Sequence, residues 1–285
     1  MQITLSQFAG FCDGVRRAFE AVNNLDLKKI KKPVYALGSL VHNQDVVKKI
    51  EEKGIQKIDV ETFLNSNPGQ IGTLIITAHG TGPTIYEIAQ EKGIEIIDTT
   101  CPKVIKVQRL AQAYIKRGYS IILVGDKDHK EVRSIFEWGG EEAVIVSKTS
   151  DLENLDLKNS EKIIILSQTT QSKDFLDEVY KFVKAKYPDT EILDTICLTT
   201  EERQDEIKKM ARENDAVVVI GSPESANSTR LYEIARGINS KTIFIERAKN
   251  IDEYWFSGIE SVAVTAGAST PDWIIEEVMK RLAEL

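Results

Sequence analysis

At 285 residues the chain exceeds the usual size of one compact core, so several small units are expected in place of a single hydrophobic centre. Hydrophobic residues at 42% and charged residues at 28% are ordinary for a globular protein, and no apolar run approaches the roughly 20 residues that cross a bilayer, which predicts a water-soluble protein. A formal net charge of -7 argues against a nucleic-acid or anionic-membrane surface and leaves a small ligand or another protein as partner.

Residues 1–15 carry no basic start followed by a long apolar stretch, so neither a secretory signal nor a transit peptide is expected, and a cytoplasmic location follows. A strand over 2–6 leads toward Cys12. Beyond it, apolar β-branched runs at 34–38, 73–78, 94–100, 120–125, 163–168, 191–195, 216–221 and 261–266 alternate with segments of helical period, the pattern of a parallel α/β fold. Helices over 43–53 and 84–92 are stopped by Gly54 and Gly93, a helix over 231–236 by Gly237, and a last helix covers 273–285.

The strand-end loops recur in order. Gly38-Ser39-Leu40-Val41-His42, Gly125-Asp126-Lys127-Asp128-His129 and Gly221-Ser222-Pro223-Glu224-Ser225 each follow an apolar strand and open a helix. A second series, Thr77-Ala78-His79-Gly80, Ser167-Gln168-Thr169-Thr170 and Ala266-Gly267-Ala268-Ser269, does the same once per third of the chain. The cysteines form a third series: Cys101 ends Asp98-Thr99-Thr100-Cys101, Cys197 ends Asp194-Thr195-Ile196-Cys197, and Cys12 follows the N-terminal run. A degenerate repeat of about a hundred residues is the reading. It predicts three pseudo-threefold-related α/β units with small, mainly parallel sheets around a central site: 13–97, 98–193 and 194–285. Residues 1–12 would complete the third unit's sheet, which otherwise lacks its last strand.

Ligand-binding groups in parallel α/β sheets gather beyond the carboxyl ends of strands, where helix N-termini present unpaired N–H groups. Three cysteines in a reducing compartment disfavour a disulfide framework and leave packing, catalysis or metal. Three thiolates at one point suit a soft centre with one open position, either an iron-sulfur cluster or zinc. The chain's three histidines, His42, His79 and His129, all fall in these loops. The third unit offers Ser225, Asn227 and Ser269, neutral donors at helix starts suited to phosphate or diphosphate, though Ser and Asn there also serve as ordinary N-caps. Glu131 and Thr169 are the proton-handling candidates, since a carboxylic acid beside a hydroxyl can pass a proton inward when burial raises its pKa.

These motifs, together with Gly10-Phe11-Cys12-Asp13-Gly14-Val15, Thr100-Cys101-Pro102, His129-Lys130-Glu131-Val132, Arg203-Gln204 and the stretches 221–231 and 265–269, resemble the 4-hydroxy-3-methylbut-2-enyl diphosphate reductase family, also called LytB or IspH. The similarity covers essentially the whole chain. It implies reductive dehydroxylation of that diphosphate to isopentenyl and dimethylallyl diphosphate, the last step of the methylerythritol phosphate route to isoprenoids. It further implies one 4Fe-4S cluster held by Cys12, Cys101 and Cys197 with one iron open. By the same resemblance, His42, His79, His129, Thr169, Ser225, Ala226, Asn227 and Ser269 line the substrate site, and Glu131, Thr169 and His129 act in catalysis.

The chain has no Gly-x-Gly-x-x-Gly nucleotide fingerprint, so the electrons are expected from an external ferredoxin or flavodoxin-type protein docking on a monomer. Ala226 departs from the family pattern, where a second serine is common, and Glu201-Glu202 precede Arg203 where some relatives have a neutral residue. No nucleic-acid-binding extension is expected after the last helix. Two other readings fit the residues: a non-catalytic iron-sulfur or zinc sensor or structural protein on the same scaffold, and a metal-free phosphatase-like or transferase enzyme using the diphosphate pocket.

Overall fold

The computed structural model describes residues 1–140, 143–153, 155, 157 and 162–285. Among these residues the strands form three four-stranded, wholly parallel sheets. One contains β2 (Val34–Leu37), β3 (Gln56–Ile58), β4 (Thr73–Ile76) and β5 (Glu95–Asp98) in the order β3-β2-β4-β5. Another contains β6 (Ser120–Val124), β7 (Ala143–Val146), β8 (Ile163–Ser167) and β9 (Glu191–Ile192) in the order β7-β6-β8-β9. The third contains β10 (Ala216–Ile220), β11 (Thr242–Ile245), β12 (Ser261–Ala266) and the N-terminal β1 (Gln2–Leu5), ordered β11-β10-β12-β1.

One winding therefore occurs three times. In each sheet the first and third strands of the repeat lie side by side in the middle, the second strand takes one edge, and the strand leading to a cysteine takes the other. The register agrees to the residue: Gly38, Gly125 and Gly221 each donate their backbone N–H to the last residue of the second strand, at Ile58 O (2.8 Å), Val146 O (3.0 Å) and Ile245 O (2.9 Å).

The central strands are apolar throughout because both of their faces are covered. In β8, Ile163 and Ile165 enter the core shared with Leu176, Val179 and Val183, while Ile164 and Leu166 enter the one shared with Val107, Ala111 and Ile135. In β10, Ala216, Val218 and Ile220 face Ile274 and Val278, while Val217 and Val219 face Ile207, Leu231 and Ala235. A side-chain period of two on a doubly covered strand yields an uninterrupted hydrophobic run. Edge strands β3, β7 and β11 are absent from the strands expected from sequence: β3 (QKI) has no apolar run, while β7 (AVIV) and β11 (TIFI) are short apolar runs that keep exposed or half-exposed positions at the sheet edge.

The helices are α1 (Asp13–Asn23), α2 (Gln44–Glu52), α3 (Val60–Leu64), α4 (Pro83–Glu91), α5 (Pro102–Ile115), α6 (Lys130–Gly139), α7 (Ser150–Glu153), α8 (Lys173–Lys186), α9 (Leu198–Glu213), α10 (Ala226–Ile238) and α11 (Asp272–Ala283). Gly54 and Gly93, at φ +89° and +64°, lie just past α2 and α4 as expected, because a left-handed residue ends a helix without a Cβ clash. Gly237 does not stop its helix. α10 begins at Ala226, runs through Gly237 and ends at Asn239, whose backbone N–H returns to Ala235 O (2.7 Å) and whose side chain donates to Asn214 O (2.9 Å).

Two compact units are distinguished. Residues 1–16, 42–44 and 197–285 form one, containing the β11-β10-β12-β1 sheet, and residues 17–41 and 45–196 form the other, containing the remaining two sheets. In the first unit the loops after β10 and β12 approach the start of α10 so closely that a Cβ at Gly267 would stand 2.9 Å from Ser228 Cβ and closer still to its Oγ. Ser228 has 0% exposure and cannot retreat. Gly267→Ala is expected to destabilise the protein by about 1–3 kcal/mol through this overpacking, read as a fall in the urea unfolding midpoint. An unchanged midpoint would mean that the two loops have more freedom than their packing implies.

Candidate functional site

In the larger unit, the loop after β6 and the loop after β8 are adjacent because their strands are. Gln168 joins them, accepting the Asp126 N–H on Oε1 at 3.0 Å while its own N–H reaches Val124 O at 2.9 Å. His129 is the N-cap of α6, and its Nδ1 accepts the Glu131 N–H at 3.2 Å. A ring nitrogen that accepts must be unprotonated, which places the proton of the neutral ring on Nε2.

Glu131 follows inside the first turn and is 3% exposed. Its Oε1 accepts the Thr169 N–H at 2.6 Å, and Oε2 lies 3.0 Å from Thr169 Oγ1. Burial pushes its pKa up to about 7, against the two Thr169 hydrogen bonds and with help from the Asp126 charge. A carboxyl with such a pKa is present in both protonation states near neutrality, the condition for acid-base work.

His79 enters the same unit from the loop after β4, and its ring meets that of His129 edge-on with centroids 5.2 Å apart. The loop is tied to α6. Trp138 Nε1 donates to Thr81 O (3.0 Å), and Gln108 Nε2 on α5 donates to Ser134 Oγ (2.5 Å) beneath Gly80. Gly80, at φ +73°, leaves no space for a Cβ, which would fall 2.5 Å from Gln108 Nε2 and 3.0 Å from Thr100 Cγ2. Cys101 is the N-cap residue of α5, and its N–H bonds Ala78 O at 3.0 Å. Trp138 and Gln108 are supporting residues without a signal in the sequence, since their partners Thr81 and Ser134 lie far away along the chain.

The smaller unit gathers the other candidates. Ser225 caps α10 through the Ser228 N–H (3.4 Å), and its Oγ also lies 3.2 Å from Ser269 Oγ. Ser269 Oγ donates to His42 O at 3.2 Å, and His42 Nδ1 stands 3.7 Å from a carboxylate oxygen of Glu224. Asn227, 5% exposed, buries a side-chain Nδ2 that has no hydrogen-bond partner among the described residues. Ala226, the departure from the family pattern, is half-buried at the first position of α10 and brings only its backbone to this group.

Cys12 and Cys197 belong to this unit. Cys12 precedes α1, with its N–H on Ala268 O at 3.3 Å, matching the bond from Cys101 to Ala78, and Cys197 is the N-cap residue of α9. The three cysteines thus each end at a helix N-terminus, and none is in a disulfide. Arg203 is 3% exposed and donates to Gly10 O (2.6 Å) and Ala266 O (2.8 Å). It fastens the loops before Cys12 and after β12 to the helix that Cys197 opens. Burial lowers its pKa, opposed by Cys12, Glu206 and Cys197.

The family model described as LytB protein matches residues 3–283. A curated relative from Geobacter sp. strain M21, named 4-hydroxy-3-methylbut-2-enyl diphosphate reductase, is 41% identical over 289 residues, covering 100% of this chain and 98% of the relative. A solved structure described as (E)-4-hydroxy-3-methyl-but-2-enyl diphosphate reductase, the terminal enzyme of the non-mevalonate pathway, is 34% identical with a TM-score of 0.70, covering 100% of both chains. A second, the corresponding reductase from Plasmodium falciparum, is 33% identical with a TM-score of 0.90, covering 100% of this chain and 87% of that one. With the strand order repeated in all three sheets and the matched model spanning nearly every residue, the chain belongs to the LytB family.

Proposed function

We propose that this protein reduces 4-hydroxy-3-methylbut-2-enyl diphosphate: the C–O bond to the terminal hydroxyl breaks, the carbon skeleton gains hydrogen, and water leaves with two electrons and two protons consumed. The products are isopentenyl and dimethylallyl diphosphate, which makes this the terminal isoprenoid-precursor step. Family membership supports the substrate. The observation that carries the chemistry is the buried Glu131 carboxyl, with its pKa near 7 and Thr169 hydroxyl in contact.

The implied cofactor is one 4Fe-4S cluster, and the donor set suits it: three cysteines outside any disulfide, each where helix N–H groups favour negative charge. We assign its protein ligands to Cys12, Cys101 and Cys197, with one iron left open. When bound, the cluster supplies electrons and a Lewis-acidic iron for the substrate oxygen. The electrons enter from an external ferredoxin or flavodoxin-type protein.

The diphosphate falls to His42, His79, His129, Ser225, Asn227 and Ser269. His129 offers its Nε2–H, and Asn227 offers the buried amide N–H whose burial without an acceptor would cost about 1–3 kcal/mol. Ala226 contributes no side-chain donor. Glu131, when protonated, donates to Thr169 Oγ1, which in turn donates to the departing hydroxyl. That relay delivers one of the two protons consumed.

Removing a diphosphate donor should weaken binding throughout the reaction and leave the chemical step nearly intact. Asn227→Ala and His42→Asn are expected to raise KM about tenfold to a hundredfold with kcat changed much less, because a hydrogen bond to a charged group contributes roughly 1.5–3 kcal/mol. A fall confined to kcat would contradict the assignment.

The reading itself is tested on anaerobically purified protein, by iron and sulfide analysis and by oxidation of reduced methyl viologen on adding the substrate. About four irons and four sulfides per chain with substrate-dependent dye oxidation are expected. Cluster or zinc without turnover would mark a sensor or structural protein. A colourless protein that processes diphosphates would mark a hydrolase or transferase.

A further inference from the structure

Helix α5 departs from the charge balance of the rest of the chain. Between Asp98 and Asp126 there is no acidic residue, while Lys103, Lys106, Arg109, Lys116 and Arg117 fall in that stretch, in a protein whose net charge is -7. Lys103, Lys106 and Arg109 are exposed on α5, and Lys106 and Arg109 line an open groove with Pro102, Ile105 and Leu110. Spacings of three to four residues put these side chains on one face.

The placement runs against helix energetics. Lys103 lies in the first turn, near the positive end of the helix dipole, where a cation typically loses about 0.3–1 kcal/mol and an acidic residue would be favoured. Among the described residues, none of Lys103, Lys106 and Arg109 has an ion-pair partner. Asp98, the carboxylate nearest along the chain, is taken by the Thr100 N–H at 2.8 Å and the Tyr86 hydroxyl at 2.9 Å. Another cation, Arg17, is anchored beside this turn, donating to Thr100 O. No folding role is visible for the stripe.

Its position is informative because α5 begins immediately after Cys101. At 1.5 Å per residue, Lys103 to Arg109 cover the first ~12 Å of helix beyond that cysteine. We propose that this basic, partly apolar face of α5 is the docking surface for the electron donor, a small acidic one-electron carrier protein. The assignment rests on the proposed reduction and on Cys101 as a cluster ligand. Each docking event oxidises one carrier by one electron, so two carriers are consumed for each substrate that gains two electrons and two protons and releases water. Opposite charge steers the encounter, and the apolar groove floor of Ile105 and Leu110 gives the short-lived complex a desolvated centre.

The test uses the holoenzyme, a plant-type 2Fe-2S ferredoxin as the probe, and the triple variant Lys103→Glu/Lys106→Glu/Arg109→Glu. A control triple, Lys28→Glu/Lys57→Glu/Lys241→Glu, carries the same net charge change at exposed sites elsewhere. Ferredoxin affinity is measured against salt concentration, and turnover is measured with reduced ferredoxin and separately with reduced methyl viologen. The α5 variant should bind ferredoxin at least about tenfold more weakly at low salt, lose most of the parent's salt dependence, and lose ferredoxin-driven kcat/KM in proportion. Its dye-driven turnover should stay within about twofold of the parent, and the control triple should resemble the parent.

Ferredoxin binding undiminished in the α5 variant, or weakened equally in the control, overturns the proposal. So does tighter binding of a DNA duplex than of ferredoxin by the parent at the same salt, which would make the stripe a nucleic-acid surface. A parent that binds ferredoxin through α5 yet never turns over with the dye sinks the functional reading and leaves the docking face in place.

Discussion

Serine at any one of positions 12, 101 or 197 is expected to abolish turnover, to below about 1% of the parent, and to yield protein with less iron and sulfide after anaerobic purification. A serine hydroxyl nearly matches the thiol in size, so packing changes little, but hard oxygen is a poor ligand where soft sulfur is required. The three positions are equivalent by fold: each follows the edge strand that ends one turn of the winding and sits where a helix begins. Equivalent losses should therefore follow from the three single variants. The check is metal analysis, visible absorption and dye-driven turnover on all three, alongside unfolding midpoints. Cysteines that only packed would behave differently, with midpoints shifted slightly and iron and activity retained, and that result in all three would remove them as ligands.

Glu131→Gln should lower turnover by about a hundredfold to ten-thousandfold while substrate binding is largely kept. The amide preserves the local geometry: its oxygen can accept the Thr169 N–H as Oε1 does now, and its nitrogen can face Thr169 Oγ1. What it lacks is a proton to give. In the parent the acid form is present below a pKa of about 7, so kcat should be highest on the acidic side and fall as pH rises through that value. A variant with parental turnover would exclude Glu131 from the proton path and leave Thr169 with bound water.

The same side chain links stability to pH. Its folded-state pKa is raised from 4.5 to about 7, so its contribution is fully present below about 4.5 and is lost as pH rises through about 7, an effect on the order of 3 kcal/mol. Glutamine does not titrate. The unfolding midpoint of Glu131→Gln relative to the parent should therefore rise between pH 5 and pH 8. A constant difference across that range would mean that the carboxyl is not desolvated as its burial indicates.

How far the sequence reached depended on whether the signal was local. β6, β8, β10 and β12 were legible because strands covered on both faces are apolar at nearly every position, and the glycine-led loops after them were legible because a strand-to-helix turn repeats its chemistry. The cysteine series and every residue of the candidate site came from that register and the family likeness. Strands β3, β7 and β11 were not legible: β3 has no apolar run, and the four-residue segments of β7 and β11 are too short for periodicity to tell strand from helix, so that only their pairing with β2, β6 or β10 identifies them. The end of α10 was misplaced at Gly237 because Asn239 stops the helix through carbonyls about 25 residues away in the chain. Tertiary structure alone decided that Arg203 fastens two loops, that Trp138 ties the His79 loop to α6 while Gln108 joins α5 to α6, and that Glu131 lies where water cannot solvate its charge. A glutamate after a helix cap is ordinary in sequence. Its raised pKa follows from desolvation, and desolvation depends on which distant segments pack over it.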